Sequence, residues 1–370
     1  MKIKNSLFSS KSSITEILDL GLNPPSDTFI EKNNLDKPQY TMPLVCNMCK
    51  KTGGIQLAYV FNEDIRYNLN SYSYSSDNSN YSRNYWKSYC LDILEKYNLK
   101  KNDIFLEIGS NDGFLSSQFK KYGYKIFGVD PSKEMSRIAK KRKIKTFNFL
   151  FNYKNSIKIK NAKGKFKLLI ANNVFNHSNN PRDFLKGIKN LIKKDGLFIY
   201  EAPYWLTTIK SGKFDQIYHE HVTYLNVKSS YNLLKDFNLE IIDIAETKYH
   251  GGSIRFYTRF SPNPKMNIKV RKYIDKETKF GLYNIKTYKD FSQRLLKKKY
   301  NLLNKIIELK KKDYKIICIG AAAKGNTFLN FHGLNNNMID YITDTSKLKI
   351  GKYSPLSNIK IVNDEIFKKY

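Results

Sequence analysis

The sequence predicts an α/β protein: a doubly wound sheet flanked by a small irregular N-terminal domain and a second strand–helix domain at the C-terminus. Three observations carry this. From Ile104 onward, apolar runs alternate with helical spacing, with strands expected at 104–108, 125–129, 167–171 and 196–202 and helices at 111–122, 132–142 and 181–193. Strands joined through helices read as parallel, because a parallel crossover needs an intervening element. The same pattern restarts near the end, with strands at Tyr314–Ile319 and Ile339–Thr343 around a helix at Thr327–Phe331. Residues 14–60, by contrast, hold only short strand-like pieces among turn residues.

In chain order, the N-terminal pieces are 14–20, 40–45 and 54–60, with a turn at Asn23-Pro24-Pro25. Residues 65–82 are rich in Ser, Tyr and Asn and read as a flexible loop or lid. Tyr85, Tyr89, Leu91, Leu94 and Tyr97 give residues 83–98 the spacing of a helix leading into the sheet. After the parallel region, 238–245 and 253–259 form an antiparallel hairpin turned by Gly251-Gly252, and lysine-rich residues 265–312 read as one connecting helix. The chain divides accordingly into domains at 1–62, 63–262 and 263–370.

At 370 residues, 41% hydrophobic and 14% aromatic, the chain is long and apolar enough for folded domains with a sizeable core. Its formal net charge of +32 would attract nucleic acid, anionic membrane or phosphorylated substrates. Lys, Asn, Ile and Tyr are all abundant, however, as in an A- and T-biased genome. The lysines are spread along the chain, without the interleaved aromatic pattern of a nucleic-acid groove. A nucleic-acid partner is therefore not expected, whereas a diphosphate substrate suits the basic bias. Four cysteines, Cys46, Cys49, Cys90 and Cys318, suit a reducing compartment. No apolar run is long enough to span a membrane, and the N-terminus lacks the apolar core of a signal peptide. The expected location is cytoplasmic.

The most informative segment is Glu107-Ile108-Gly109-Ser110-Asn111-Asp112-Gly113, between an apolar strand and a helix. Its glycines permit a tight turn and close approach of a ligand to the backbone. The next strand ends at Asp130, 21 residues after Gly109, where a carboxylate can accept hydrogen bonds from ribose hydroxyls. A nucleoside-containing cofactor is expected. A dinucleotide dehydrogenase would fit less well, because Glu-x-Gly-x-x-x-Gly departs from the Gly-x-Gly-x-x-Gly phosphate cradle. Later, Gly320-Ala321-Ala322-Ala323-Lys324-Gly325-Asn326-Thr327 follows a strand and opens a helix, a second nucleotide-binding-like loop.

Together with Leu18-Asp19-Leu20-Gly21, Pro24-Pro25, Cys46-Asn47-Met48-Cys49, Ala171-Asn172-Asn173-Val174-Phe175-Asn176-His177 and Tyr218-His219-Glu220-His221, these segments resemble the sugar C-methyltransferases that act on nucleotide-linked ketosugars. The resemblance covers nearly the whole chain. It implies a class I methyltransferase sheet with a Rossmann-like C-terminal domain. It also implies S-adenosylmethionine bound by Glu107, Gly109, Asn111, Gly113, Asp130 and Asn172. That cofactor has no phosphate to cradle, which accords with the glycine spacing. The nucleotide-sugar would lie between the central and C-terminal domains, touched by His219, Lys324 and Asn326.

Methylation of a carbon beside a ketone requires removal of a weakly acidic C–H proton, and neutral imidazole suits that task. By resemblance His221 is the base, Tyr218 and Glu220 position substrate or assist proton transfer, and His177, at the carboxyl edge of the sheet, contacts the sugar. A metal held by His219 and His221 lacks further ligands. The resemblance also implies N-terminal zinc held by two cysteine pairs. Residues 1–45 contain neither Cys nor His, so only Cys46 and Cys49 of four ligands are present and zinc is not expected. The C-terminal domain of the family also continues beyond the point matching Tyr370, which suggests a truncated sugar-nucleotide site. Two other activities stay open: sugar O- or N-methylation, and nucleotide-sugar binding without turnover. The oligomeric state is open as well.

Overall fold

The computed structural model describes residues 1–9, 12–63 and 75–369. The chain runs β1 (Thr15–Asn23), β2 (Met42–Cys49), β3 (Gly54–Leu57), α1 (Asn80–Lys96), β4 (Ile104–Ile108), α2 (Phe114–Lys121), β5 (Lys125–Val129), α3 (Lys133–Lys141), β6 (Lys145–Phe147), α4 (Tyr153–Lys163), β7 (Phe166–Asn172), α5 (Pro181–Leu191) and β8 (Ile192–Pro203). It continues with α6 (Trp205–Ser211), β9 (Thr223–Tyr224), α7 (Val227–Lys235), β10 (Leu239–Thr247), β11 (Ser253–Phe260), α8 (Ile268–Phe280), α9 (Ile285–Lys310), β12 (Ile317–Ile319), α10 (Ala323–His332), β13 (Tyr341–Thr343) and β14 (Ile361–Val362).

The described residues hold three sheets. The central one has seven strands in the order β10-β11-β8-β7-β4-β5-β6. β4, β5, β6, β7 and β8 pair in parallel, while β11 is antiparallel to both β8 and β10. The expected doubly wound sheet with a closing hairpin is present, and β11 is its one reversed strand. Strand alternation sends neighbouring residues to opposite faces. Phe105, Leu168, Ile170 and Ile199 pack with Trp86, Tyr89 and Ile93 of α1. Leu106, Leu169, Ala171 and Phe198 face the other way, into a core that continues through Leu44, Met48, Ile55 and Leu57. The N-terminal segment is thus built onto the same core as the central sheet.

That segment forms a four-stranded sheet, β1-β2-β3-β9, whose last strand comes from residues beyond the Tyr-His-Glu-His segment. Ile55 pairs with Tyr224 and Gln56 with Thr223. The C-terminal sheet, β12-β13-β14, is parallel and encloses its own core of Leu329, Ile342, Ile359 and Ile361.

Several expected boundaries move for local reasons. The helix expected from residue 111 starts at Phe114, because Asn111 (φ 49) and Gly113 (φ 73) are left-handed, and Gly113 is its N-cap. The single helix expected over 265–312 is two. Gly281 (φ 81) stops α8, and the Asn284 side chain accepts the Lys286 N–H to start α9. The last helix starts at Ala323 rather than Thr327, which puts Lys324 and Asn326 in its first turn. Much of the loop or lid expected at 65–82 lies outside the described residues; α1 already includes residues 80–82.

Candidate active site

In the sheet order, β4 has β5 on one side and β7 on the other. The strand order reverses there, and a crevice opens beyond the carboxyl ends of β4 and β7, where ligands bind in such sheets. Gly109, at the tip of β4, has φ 68, and an added Cβ would stand 2.1 Å from Val174 Cγ2. Both requirements demand glycine. Asp130, at the tip of β5, accepts the Asn111 N–H at 2.8 Å and the Ser132 N–H at 2.9 Å, so its carboxylate shapes the turn as well as facing the crevice. Burial raises its pKa to about 6, opposed by those two bonds. Burial raises the Glu107 carboxyl to about 8 despite its hydrogen bond from Ser116.

Asp112 behaves oppositely. Burial pulls its carboxyl upward, but hydrogen bonds from Ser75 and Ser76 and the Arg142 guanidinium outweigh that and hold it below the usual range. Arg142 lies 3.2 Å from Asp112 and 2.6 Å from Asp77, and the Ser76 N–H donates to Asn111 Oδ1 at 3.0 Å. Residues 75–77 are therefore fastened across the glycine turn.

The second wall is the loop from Lys213 to Val222. Buried Phe214, Ile217 and Val222 anchor it, and the Thr327 hydroxyl of α10 donates to the Ile217 carbonyl at 3.1 Å. Within it the His221 N–H closes a turn onto the Tyr218 carbonyl at 2.9 Å. The Gln216 carbonyl lies 2.8 Å from His221 Nδ1. A carbonyl only accepts, so Nδ1 carries the hydrogen and Nε2 is the basic nitrogen. The Tyr218 hydroxyl is 2.9 Å from that Nε2. The His177 ring centre is 5.1 Å from that of His221.

The third wall is the loop from Gly320 into α10, with the segment after β13. Asp344 accepts the Ala321 N–H at 2.8 Å, and Lys349 donates to the Ala321 carbonyl at 2.9 Å. The Lys324 ammonium lies 3.9 Å from Asp215.

One cavity of about 780 Å³ is lined by all three walls: Glu107, Gly109, Asn111, Asp130 and Asn172 from the first, Tyr218, Glu220 and His221 from the second, Lys324 and Lys349 from the third, with His177 from the segment after β7. Three expected site residues are placed elsewhere. Gly113 packs on Ala139 at the start of α2, where a Cβ would stand 3.0 Å from the alanine methyl. His219 is turned toward the N-terminal sheet, with Nε2 3.3 Å from the Pro43 carbonyl and its ring edge-on to Phe61. Asn326 points away along α10 and donates to the Ser26 carbonyl at 2.6 Å.

The cavity also holds residues that the sequence did not mark. Gln216 fixes the His221 tautomer and donates from its side chain to the His250 carbonyl at 3.0 Å. His250 lines the cavity in a left-handed conformation (φ 48, ψ 32), beside the two glycines read only as a hairpin turn. Burial, then the nearby Lys324 charge, lower its pKa to about 4, which keeps the ring neutral at physiological pH.

Three family models match the chain. A "Putative zinc binding domain" family model matches residues 8–67, a "Methyltransferase domain" 81–244 and a "C-methyltransferase C-terminal domain" 248–370. The chain is 25% identical over 351 residues to the C-methyltransferase NovU of Streptomyces niveus, covering 95% of this chain and 83% of NovU. These matches support a class I, S-adenosylmethionine-dependent methyltransferase with the C-terminal domain of the C-methyltransferases. Among solved structures, the enzyme is similar to an S-adenosylmethionine-dependent methyltransferase of Clostridium acetobutylicum (16% identity, 50% of this chain, 93% of that one, TM-score 0.39). It is also similar to magnesium protoporphyrin IX methyltransferase of Synechocystis (14% identity, 48% and 78%, TM-score 0.37).

The residues fit the cofactor. The glycine at position 109 leaves the crevice free of a side chain, two carboxylates stand at adjacent strand tips, and the buried Asn172 Nδ2 has no partner among the described residues. The residues do not fit zinc. Cys46 is fully buried and desolvation drives its thiol far above the usual range, despite a hydrogen bond with Tyr224. At Cys49, burial also acts upward, but hydrogen bonds with Ser6 and Thr52 outweigh it and lower the pKa. Among the described residues no three His, Cys, Asp or Glu side chains converge as metal ligands. A closed zinc site needs four. Purified enzyme is expected to carry far less than one zinc per chain by mass spectrometry, and prolonged chelation should leave its melting temperature unchanged. A chelator-induced fall of several degrees would show a metal that this reading omits. No helix among the described residues is long and apolar enough to cross a membrane.

Proposed function

We propose that the enzyme methylates the carbon beside the ketone of a nucleotide-linked keto-deoxysugar. The observation that carries the reading is the shared cavity. A cofactor crevice, a Tyr–His pair with a defined basic nitrogen and a lysine-bearing glycine loop all open into one space. When bound, S-adenosylmethionine supplies a methyl group made electrophilic by its sulfonium sulfur.

The chain's own residues supply the rest. Gln216 holds hydrogen on His221 Nδ1, so Nε2 takes the proton from the substrate carbon. The electron pair left behind is shared with the keto oxygen, and the carbon attacks the methyl. Tyr218, whose hydroxyl neighbours that nitrogen, and His177 serve as donors to the keto oxygen as its negative charge grows. Glu220 positions the sugar from the same wall. Lys324, at the first turn of α10, faces the diphosphate, which also matches the positive end of that helix.

Proton exchange separates this reading from methylation of a sugar oxygen or nitrogen, which needs no acidified C–H. In deuterated water, with S-adenosylhomocysteine in place of the methyl donor, the enzyme should exchange the hydrogen beside the ketone, and His221→Ala should not. Methyl transfer to the same ketosugar without any exchange at that carbon would oppose the assignment.

A further inference from the structure

Two buried N–H donors stand on the cofactor side of the cavity without a partner among the described residues: Trp86 Nε1 and Asn172 Nδ2. Both residues line the cavity, and Trp86 is only 5% exposed. A buried donor left unpaired is costly, and two on one wall point to an acceptor brought by a ligand.

Both donors are held in place. The Tyr89 hydroxyl donates to Asn172 Oδ1 at 3.3 Å, which commits that oxygen and directs the amide nitrogen the other way. Tyr89 in turn is clamped under the Arg255 guanidinium, 4.1 Å from its ring centre. Arg255 is fixed by buried Glu201 at 2.7 Å and by Asp92 at 3.2 Å. The Trp86 indole is wedged between Tyr85, Tyr89 and Tyr249, with ring centres 5.0, 5.6 and 5.0 Å away. A buried ion pair and three tyrosine rings thus hold the two hydrogen-bond donors.

S-adenosylmethionine has one anionic group, the carboxylate of its methionine part. Its remaining polar groups are ribose hydroxyls, adenine nitrogens, an ammonium and the sulfonium. The carboxylate alone accepts strongly from two N–H donors at once, and it must avoid the carboxylates of Glu107 and Asp130. We propose that Trp86 and Asn172 bind the methionine carboxylate of S-adenosylmethionine, with Tyr89 as the positioning residue that orients the Asn172 amide.

The test compares two ligands by calorimetry. S-adenosylhomocysteine carries the amino-acid part, whereas 5′-methylthioadenosine is the same adenosine thioether without it. Trp86→Phe should lower affinity for S-adenosylhomocysteine about ten-fold and leave methylthioadenosine binding unchanged. Asn172→Asp, which places a negative charge against the carboxylate, should cost more than ten-fold with the same selectivity, and it stands in if the Trp86 variant fails to fold. Tyr89→Phe should give a smaller loss, about three-fold, again confined to S-adenosylhomocysteine. The assignment is overturned if Trp86→Phe and Asn172→Asp weaken both ligands equally, or neither. Wild-type enzyme that binds methylthioadenosine as tightly as S-adenosylhomocysteine would also overturn it, while leaving the cofactor class intact. Wild-type enzyme that binds neither ligand would contradict the cofactor crevice itself.

Discussion

Replacing His221 with alanine is expected to lower the rate of methyl transfer by about 10³-fold or more, while S-adenosylhomocysteine affinity stays within a few-fold of wild type. The imidazole stands with Tyr218 on the wall formed by residues 213–222, across the cavity from the glycine turn. Its removal takes away the basic Nε2 and leaves Gly109, Asp130 and the Asn111 N–H as they were. Tyr218→Phe removes one hydroxyl and leaves the basic Nε2 in place, so it should cost less than His221→Ala. Single-turnover rates with calorimetric binding on the same variant decide the matter. If binding collapses together with turnover, His221 supports the cofactor pocket and is not the base.

Glu107→Gln is expected to change stability and cofactor affinity in opposite directions. Burial raises the Glu107 carboxyl to about 8 in the folded protein, against an ordinary value of 4.5. A raised carboxyl means that the folded state holds a proton which the unfolded state has released between those values. The group's contribution to stability is therefore fully present below pH 4.5 and is lost as the pH rises through about 8. The neutral amide is exempt from that loss. The ligand-free variant should exceed wild type in stability at pH 9 by about 2–5 kcal/mol, and match it closely at pH 5. Cofactor binding runs the other way. Glu107 lines the cofactor crevice, and losing a charged acceptor for the cofactor's ammonium is expected to cost about 10–100-fold in affinity. Wild-type affinity for S-adenosylhomocysteine should rise with pH toward 8, as the ligand displaces the Glu107 proton. The variant should keep only the shallower rise near 6 that belongs to Asp130. Denaturation at the two pH values and titration across them test both halves. A variant less stable than wild type at pH 9 would show that the buried carboxylate is compensated by partners this account omits.

The central sheet and the cofactor turn were legible in the sequence because their constraints are local. Apolar strands separated by helices imply parallel pairing, and Gly109 must be glycine for reasons of its own φ and its approach to Val174. What stayed hidden depended on pairing at a distance. Thr223–Tyr224 is a strand only because Ile55 and Gln56 lie alongside, which carries the N-terminal sheet to the back of the histidine loop. The same geometry separates two histidines that sequence spacing cannot rank: His221 faces the cavity, and His219 faces Pro43. Lys324 and Asn326 divide similarly, because the helix begins four residues before the expected Thr327 and its first turn sends them in different directions. Trp86 falls on the same helix as the tyrosine spacing that suggested α1, and nothing local reveals that it lines the cavity with its indole N–H unpaired among the described residues.

The most direct measurement is mass spectrometry after incubating the enzyme with methyl-labelled S-adenosylmethionine and a panel of nucleotide-linked 4-ketosugars. The account predicts one labelled methyl on a single ketosugar class, joined to the carbon beside the ketone, and absent with the corresponding 4-hydroxy sugars. A label found on oxygen or nitrogen, or equal labelling of ketosugars and 4-hydroxy sugars, would contradict it.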